Sequence, residues 1–151
     1  MKSSRWSWIV CVLLTSAMWA TAVETNPFND LFVKSDAGVT NAATYMVVKD
    51  QPEFDRIFGH AAVMWQKHKS TPPDFTKQVV ALAVHQGNLY TTYKVQALEA
   101  TNSIMTIRYT TRVKPTPNTT YACPLILTLP RAGLNAVTFI ENSQTVATVK
   151  L

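Results

Sequence analysis

The sequence contains few cysteines and few glycines, and each shortage excludes a class of protein. The 151 residues include two cysteines, Cys11 and Cys123. Because Cys11 lies in an N-terminal stretch that we expect to be removed, the mature chain cannot form an internal disulfide and must rely on a packed core. Only four glycines are present, and the sequence has no glycine-rich phosphate-binding loop.

Strong net charge is also missing. The formal charge is +5, and removal of residues 1–22 takes away two of the fourteen basic residues and none of the nine acidic ones, so the mature charge is 12 minus 9, or +3. A nucleic-acid-binding domain usually carries a basic stripe and a high isoelectric point. Here most lysines and arginines are scattered, and we therefore predict no nucleic-acid partner.

The three histidines do not form a metal-binding pattern. His60 and His68 are eight residues apart on one predicted helix, about 12 Å along its axis, which is too far to chelate one ion. His85 ends a buried strand and is typical of a hydrogen-bonded structural histidine. A cysteine nucleophile would need Cys123 to be exposed beside a histidine. Cys123 instead lies at the start of a predicted apolar strand, where a buried thiol is usual. We predict no metal, no cofactor and no catalytic residue.

The N-terminal pattern predicts a secretory signal peptide over residues 1–22. Lys2 and Arg5 form a basic start, Trp8 to Leu14 is apolar, and small residues end at Ala22. The apolar part is shorter than the about 20 residues of a spanning helix. We expect cleavage after about Ala22, a periplasmic or secreted protein, and no stable membrane insertion afterwards. An uncleaved anchor is the alternative.

The remaining residues form an N-terminal arm, 23–41, and a single domain, 42–151. The arm has one short strand near Phe32. A strand over Thr44 to Lys49 precedes a helix that Asp50 should cap and whose apolar stripe runs to about Lys67.

The apolar run from Val79 to Val84 is typical of a central strand that is covered on both faces. A turn at 86–88 predicts a hairpin to a strand over residues 89–98, and another turn leads to a strand over 104–113. Later strands are expected at 121–130, 136–141 and 144–150, the last two as a closing hairpin. The sequence therefore predicts an α+β fold with an antiparallel, strongly twisted sheet of about six to seven strands and one main helix, about 51–67, packed on it.

The register of the predicted strands 89–98 and 104–113 depends on the loop between them. A three-residue loop, 100–102, sets Val95 opposite Ile107, whereas a two-residue loop sets Val95 opposite Arg108 and mixes apolar and charged residues. We therefore favour the three-residue loop. It places Lys94 opposite Arg108, and such like charges repel unless an acidic partner is present. The predicted binding face consists of Tyr90, Thr92, Lys94, Arg108, Thr110 and Arg112.

The order of elements resembles the PrcB family over roughly residues 45–141. The likeness includes Glu53-Phe54 on the helix, Asp74-Phe75 at the entry to the central strand, Gly87, and Tyr93. It lies in the C-terminal domain of that protease-complex subunit. The glycines of the family's Thr-Gly-Gly-Tyr segment are replaced here by Thr91 and Thr92. The resemblance implies an exported, noncatalytic accessory domain that associates with a protease or with other envelope proteins.

Three functions remain open at this point. The leading one is a noncatalytic protein-interaction module, such as an accessory or stabilising subunit of a protease or envelope complex. A protease inhibitor that inserts the extended loop 114–120 is an alternative, and a binder of an anionic glycan or polymer is another.

Overall fold

The computed structural model describes residues 28, 30–61 and 70–151. These residues form nine strands and one short helix, so the sheet-dominated α+β class is confirmed at that level. The elements are β1 Leu31–Val33, β2 Ala43–Val48, α1 Gln51–Ile57, β3 Phe58–His60, β4 Gln78–Gly87, β5 Leu89–Thr101, β6 Ile104–Pro115, β7 Tyr121–Pro130, β8 Ala136–Glu141 and β9 Gln144–Lys150.

The strands form three sheets instead of the single predicted sheet. A central sheet has the order β2-β4-β7, an outer sheet has the order β5-β6-β8-β9, and β1 and β3 form a two-stranded ribbon. One face of β4 packs Val80, Leu82 and Val84 against α1 and the ribbon. Its other face packs Val79, Ala81 and Ala83 against the outer sheet. The central sheet therefore lies between two apolar layers.

The prediction that Val79 to Val84 is a central strand covered on both faces is confirmed. Because β2 and β7 pair antiparallel with the two edges of β4, no edge remains for β5. The predicted hairpin across residues 86–88 is therefore wrong, and Gly87, with a φ of 140°, lies where the chain passes from the central sheet to the outer one. As a result, the outer sheet packs on the central sheet and not on the helix.

The hairpin between β5 and β6 uses a two-residue turn, so the predicted three-residue loop is wrong. Asn102 and Ser103 both have positive φ, 50° and 64°, and Thr101 pairs with Ile104. A bulge between Val95 and Ala97 shifts the register by one residue. Val95 and Leu98 are three positions apart and would point to opposite faces of a regular strand. The bulge between them places both on the core side.

The closing hairpin over 142–143 is confirmed, with φ values of 48° at Asn142 and 70° at Ser143. However, β8 pairs with β6 in parallel, so the outer sheet is mixed and not wholly antiparallel.

Helix α1 begins where expected and ends early. The backbone N–H of Glu53 donates to Asp50 Oδ1 at 2.9 Å, which confirms the cap. The helix ends at Ile57 and not at Lys67, because Phe58 is extended and pairs with Val33 in the ribbon. The rest of the predicted helix over 62–69 lies outside the described residues, as do His68 and the predicted signal peptide.

Candidate functional site

One face of the outer sheet packs on the central sheet and the other faces away from it. Met105, Ile107 and Tyr109 of β6 are buried on the inward side. Alternation along β6, together with the observed pairing to β5, therefore places Lys94 and Arg108 on the outward side. We call this outward side the basic face. Its charged residues among the described strands are Lys94, Arg108, Arg112, Lys114 and Lys150, together with the acidic Glu99; the second glutamate of the outer sheet, Glu141, points inward.

The pairing partners on this face differ from those predicted. Lys94 lies opposite Thr110 and not opposite Arg108, because the bulge and the two-residue turn change the register. Arg108 Nε instead lies 3.2 Å from Glu99 Oε2, and both side chains are about half exposed. The predicted repulsion between Lys94 and Arg108 directly across the strands is therefore absent, although both side chains share the face.

The other predicted residues also change partners. Thr92 lies opposite Arg112, and its hydroxyl donates to the carbonyl of Arg112 at 3.3 Å. Tyr90 lies opposite Lys114. Its ring packs edge-to-face against Tyr121 of β7 at a centroid distance of 5.3 Å. All six predicted residues therefore share the outward side of the outer sheet, and the ring of Tyr90 also reaches the edge of the central sheet.

The middle of the basic face carries hydroxyl and small apolar groups. Pairing places Thr106, Thr138 and Thr148 in one row across three strands, and the hydroxyl oxygens of Thr138 and Thr148 are 3.1 Å apart. Ile140 lies next to Arg108 in the following row. The face therefore combines a partly apolar centre with basic residues on several strands.

A groove of about 340 Å³ opens between β5 and β7, along one edge of the stacked sheets. Sequence reasoning missed this groove because it placed β5 beside β4 in one sheet. The two tyrosines of β5, Tyr90 and Tyr93, were a signal, but the partner strand β7 could not be identified from sequence. The groove is lined in part by Tyr90, Tyr93, Val95, Tyr121, Leu125 and Leu127.

A second polar cluster joins the two sheets around Glu141. His85 Nε2 lies 2.9 Å from Glu141 Oε2, and the hydroxyl of Tyr109 donates to the same oxygen at 3.0 Å. The hydroxyl of Tyr45 lies 3.4 Å from it. Tyr45 and His85 belong to the central sheet, and Tyr109 and Glu141 belong to the outer sheet. The predicted structural, hydrogen-bonded role of His85 agrees with these contacts.

The tyrosines between the sheets have raised pKa values. Burial raises the pKa of Tyr45 and Tyr109, and the nearby Glu141 carboxylate raises both further. Burial is also the main cause of the raised pKa of Tyr93. In each case the neutral phenol is favoured in the folded protein.

Alkaline pH is therefore expected to unfold the protein before these phenols ionise. Because their folded pKa values lie above the unfolded value of about 10, their contribution to stability is complete below pH 10 and declines as pH rises beyond it. Tyrosinate absorbance and far-ultraviolet circular dichroism should be measured together. Tyr109→Phe and Tyr93→Phe variants assign the signal, because each variant lacks the absorbance change of the tyrosine that it replaces. Ionisation of these phenols in a chain that keeps its native dichroism would contradict the expectation.

Asp30, His60 and Ser70 form a third cluster, which does not have the order of a catalytic triad. The buried Asp30 carboxylate accepts from the Ser70 hydroxyl and backbone N–H and lies 3.0 Å from His60 Nδ1. The carboxylate thus lies between the serine and the histidine, whereas a nucleophilic serine needs the histidine in the middle. Burial acts to raise the pKa of Asp30, but hydrogen bonds from Ser70 and His60 outweigh it and hold the pKa well below its ordinary value.

The structure brings Cys123 to the position directly opposite His85, on β7 and β4. The thiol is buried, and its sulfur accepts the backbone N–H of Thr91 at 3.3 Å, while His85 Nε2 contacts Glu141. No hydrogen bond joins the thiol to the imidazole among the described residues. This arrangement lacks the thiol–imidazole contact that activates a cysteine nucleophile.

A metal-binding cluster and a membrane-spanning helix are both absent from the described part of the chain. Within residues 28, 30–61 and 70–151, no group of three or more His, Cys, Asp or Glu side chains is arranged to hold a metal ion. The helix in this part of the chain is not long and apolar enough to cross a membrane. Comparison with protein-family models, with curated proteins and with solved structures gives no match for the chain.

Proposed function

We propose that the protein is an exported, noncatalytic interaction module whose basic face docks an acidic surface of a partner protein. The observation that carries the proposal is the charge of this face, where five basic side chains and one acidic side chain project from β5, β6 and β9. Glu99 neutralises Arg108 in part, which leaves the other four basic residues available to a partner. An accessory subunit of a protease or envelope complex, which the PrcB resemblance also implies, is such a module.

The centre of the face favours a protein over a polyanionic polymer. Thr106, Thr138 and Ile140 form a partly apolar area next to the Arg108–Glu99 pair, and protein interfaces combine such centres with a polar rim. A polyanion requires only a track of positive charge, and it would leave these central residues without a role.

The connection between β6 and β7, within the loop 114–120, does not have the shape that the alternative of an inhibitory loop requires. Lys114 and Pro115 are still paired with β5, and the N–H of Thr116 donates to the carbonyl of Asn88 at 2.7 Å. Thr119 then bonds back to Thr116 in a tight turn. Protease inhibitors usually present a longer extended segment, and this geometry therefore favours docking through the sheet.

The test is a double charge reversal, Lys94→Glu with Arg112→Glu. Neither side chain forms an ion pair with another described residue, so the change should affect stability little. The immobilised mature protein is exposed to the exported proteins of its source cells, and retained proteins are identified by mass spectrometry. We expect the double variant to retain at least about tenfold less of the acidic partner, since interface charges contribute on the order of 1 kcal/mol each.

The matched control is Lys77→Glu, which reverses a charge on an exposed side chain outside the outer sheet. It should retain the partner as the unmodified protein does. Equal retention by all three proteins would refute the proposal. Retention of an anionic glycan alone, lost in the double variant, would instead support the polymer-binding alternative.

A further inference from the structure

The free edge of β5 borders both the basic face and the groove. β5 is the first strand of the outer sheet and has β6 as its one neighbour among the described strands. It is also long, running from Leu89 to Thr101, and a bulge interrupts it only after Val95. An edge of this length offers unpaired backbone groups to another strand.

One hydrogen bond identifies the backbone groups that point outward from this edge. The N–H of Thr91 donates to Cys123 Sγ at 3.3 Å and so points away from β6. In an antiparallel ladder the groups that point toward and away from a neighbour alternate. The N–H and C=O groups of Tyr93 and Val95 must therefore also point away from β6, toward the side on which the groove lies.

A strand added at this edge would meet two different surfaces. Its side chains would alternate between the outward side, next to Lys94, and the inward side, above Leu125 and Leu127 in the groove. The outward positions therefore suit acidic residues, and the inward positions suit apolar ones. A groove of about 340 Å³ is at the small end of ligand pockets and has room for one or two large side chains.

We propose that β5 binds an extended segment of a partner protein in which acidic and apolar residues alternate, added as a further strand to the outer sheet. The inference rests on the proposed function and specifies the partner's recognition element. Charge complementarity selects this occupant over a second copy of the chain, because antiparallel pairing of two β5 edges would join two basic faces on the same side of one sheet.

The test uses a blocked synthetic peptide of about eight residues, with glutamate alternating with leucine, valine or tyrosine. Binding to the full mature chain is measured by fluorescence anisotropy. N-methylation of one alternating set of peptide amides should weaken binding at least about tenfold, and N-methylation of the other set should change it less than about threefold, since only one set faces β5. Equal effects of the two sets, or no binding of the unmodified peptide, would overturn the proposal.

A substitution in β5 itself, in place of a change in the peptide, tests the same edge. Val95→Pro removes an outward N–H, and proline is tolerated on edge strands. The control, Val95→Ala, keeps that N–H. We expect at least about tenfold weaker peptide binding for Val95→Pro and less than about threefold for Val95→Ala. Should Val95→Pro fail to fold, the methylated peptides decide the question alone.

The outcomes separate this inference from the proposed function. If the Lys94→Glu, Arg112→Glu variant loses the partner but Val95→Pro retains it, the basic face docks the partner and strand addition is wrong. If the charge reversal has no effect on the partner, the proposed function is wrong. A concentration-dependent dimer that Val95→Pro abolishes, seen by sedimentation, would assign the edge to a second copy and overturn the acidic-segment proposal.

Discussion

Replacing Glu141 by alanine is expected to lower the free energy of unfolding by about 3 kcal/mol. The Glu141 side chain is 13% exposed, and it accepts hydrogen bonds that come from both sheets. Without it, the buried hydroxyl of Tyr109 and the largely buried imidazole of His85 lose their acceptor. A buried donor without a partner costs about 1–3 kcal/mol, so two of them account for the expected loss. Urea denaturation at neutral pH measures it.

The matched control is Glu99→Ala, which also removes a glutamate of the outer sheet, here one that pairs with Arg108. Glu99 is about half exposed, and exposed ion pairs contribute about 0–1 kcal/mol. We therefore expect little change in the urea midpoint for this variant. Similar losses for the two variants would show that the Glu141 cluster does not hold the sheets together.

Leu82→Ala is expected to lower the free energy of unfolding by about 3 kcal/mol, because it leaves a cavity in the central sheet. Leu82 is fully buried in the middle of β4, and its side chain packs toward α1 and the ribbon with Val48, Ile57 and Ile126. The strand is paired on both edges and covered on both faces, so the surroundings have little room to collapse. Since whole domains are stable by about 5–15 kcal/mol, this change should lower the unfolding midpoint strongly.

Leu89→Ala provides the comparison, because Leu89 begins β5 and is 41% exposed. Truncation of such a side chain leaves no internal cavity, and we expect a loss below about 1 kcal/mol. A Leu82→Ala variant as stable as Leu89→Ala would contradict the three-layer packing of the central sheet.

Local signals in the sequence were reliable because they depend on neighbouring residues. The Asp50 cap, the apolar run in β4, the strand Tyr121–Pro130 and the Asn142-Ser143 turn all lie where the sequence predicted them. Each follows from side-chain size, backbone preference or a hydrogen bond within a few residues. The outward orientation of Lys94 and Arg108 also follows from alternation within each strand, together with a bulge that the sequence did not reveal.

Pairing between distant strands was predicted less well, because several partners satisfied the same pattern. The sequence favoured β5 as the neighbour of β4, but β7, which is more than thirty residues further along the chain, takes that edge. β8 then joins β6 in parallel, a choice that no local signal indicates. The bulge after Val95 also escaped prediction, because it is required only once the two-residue turn and the buried inner face are both fixed.

The amino-acid sequence by itself determined most of the strand segments, where the helix begins, and which side of β5 and β6 is polar. Tertiary structure decided that the strands divide into stacked sheets, that Glu141 meets His85 and Tyr109 between them, and that a groove opens beside β5. The physical reason is that alternation and capping are set by adjacent residues, whereas strand order depends on which distant apolar faces cover β4 most completely.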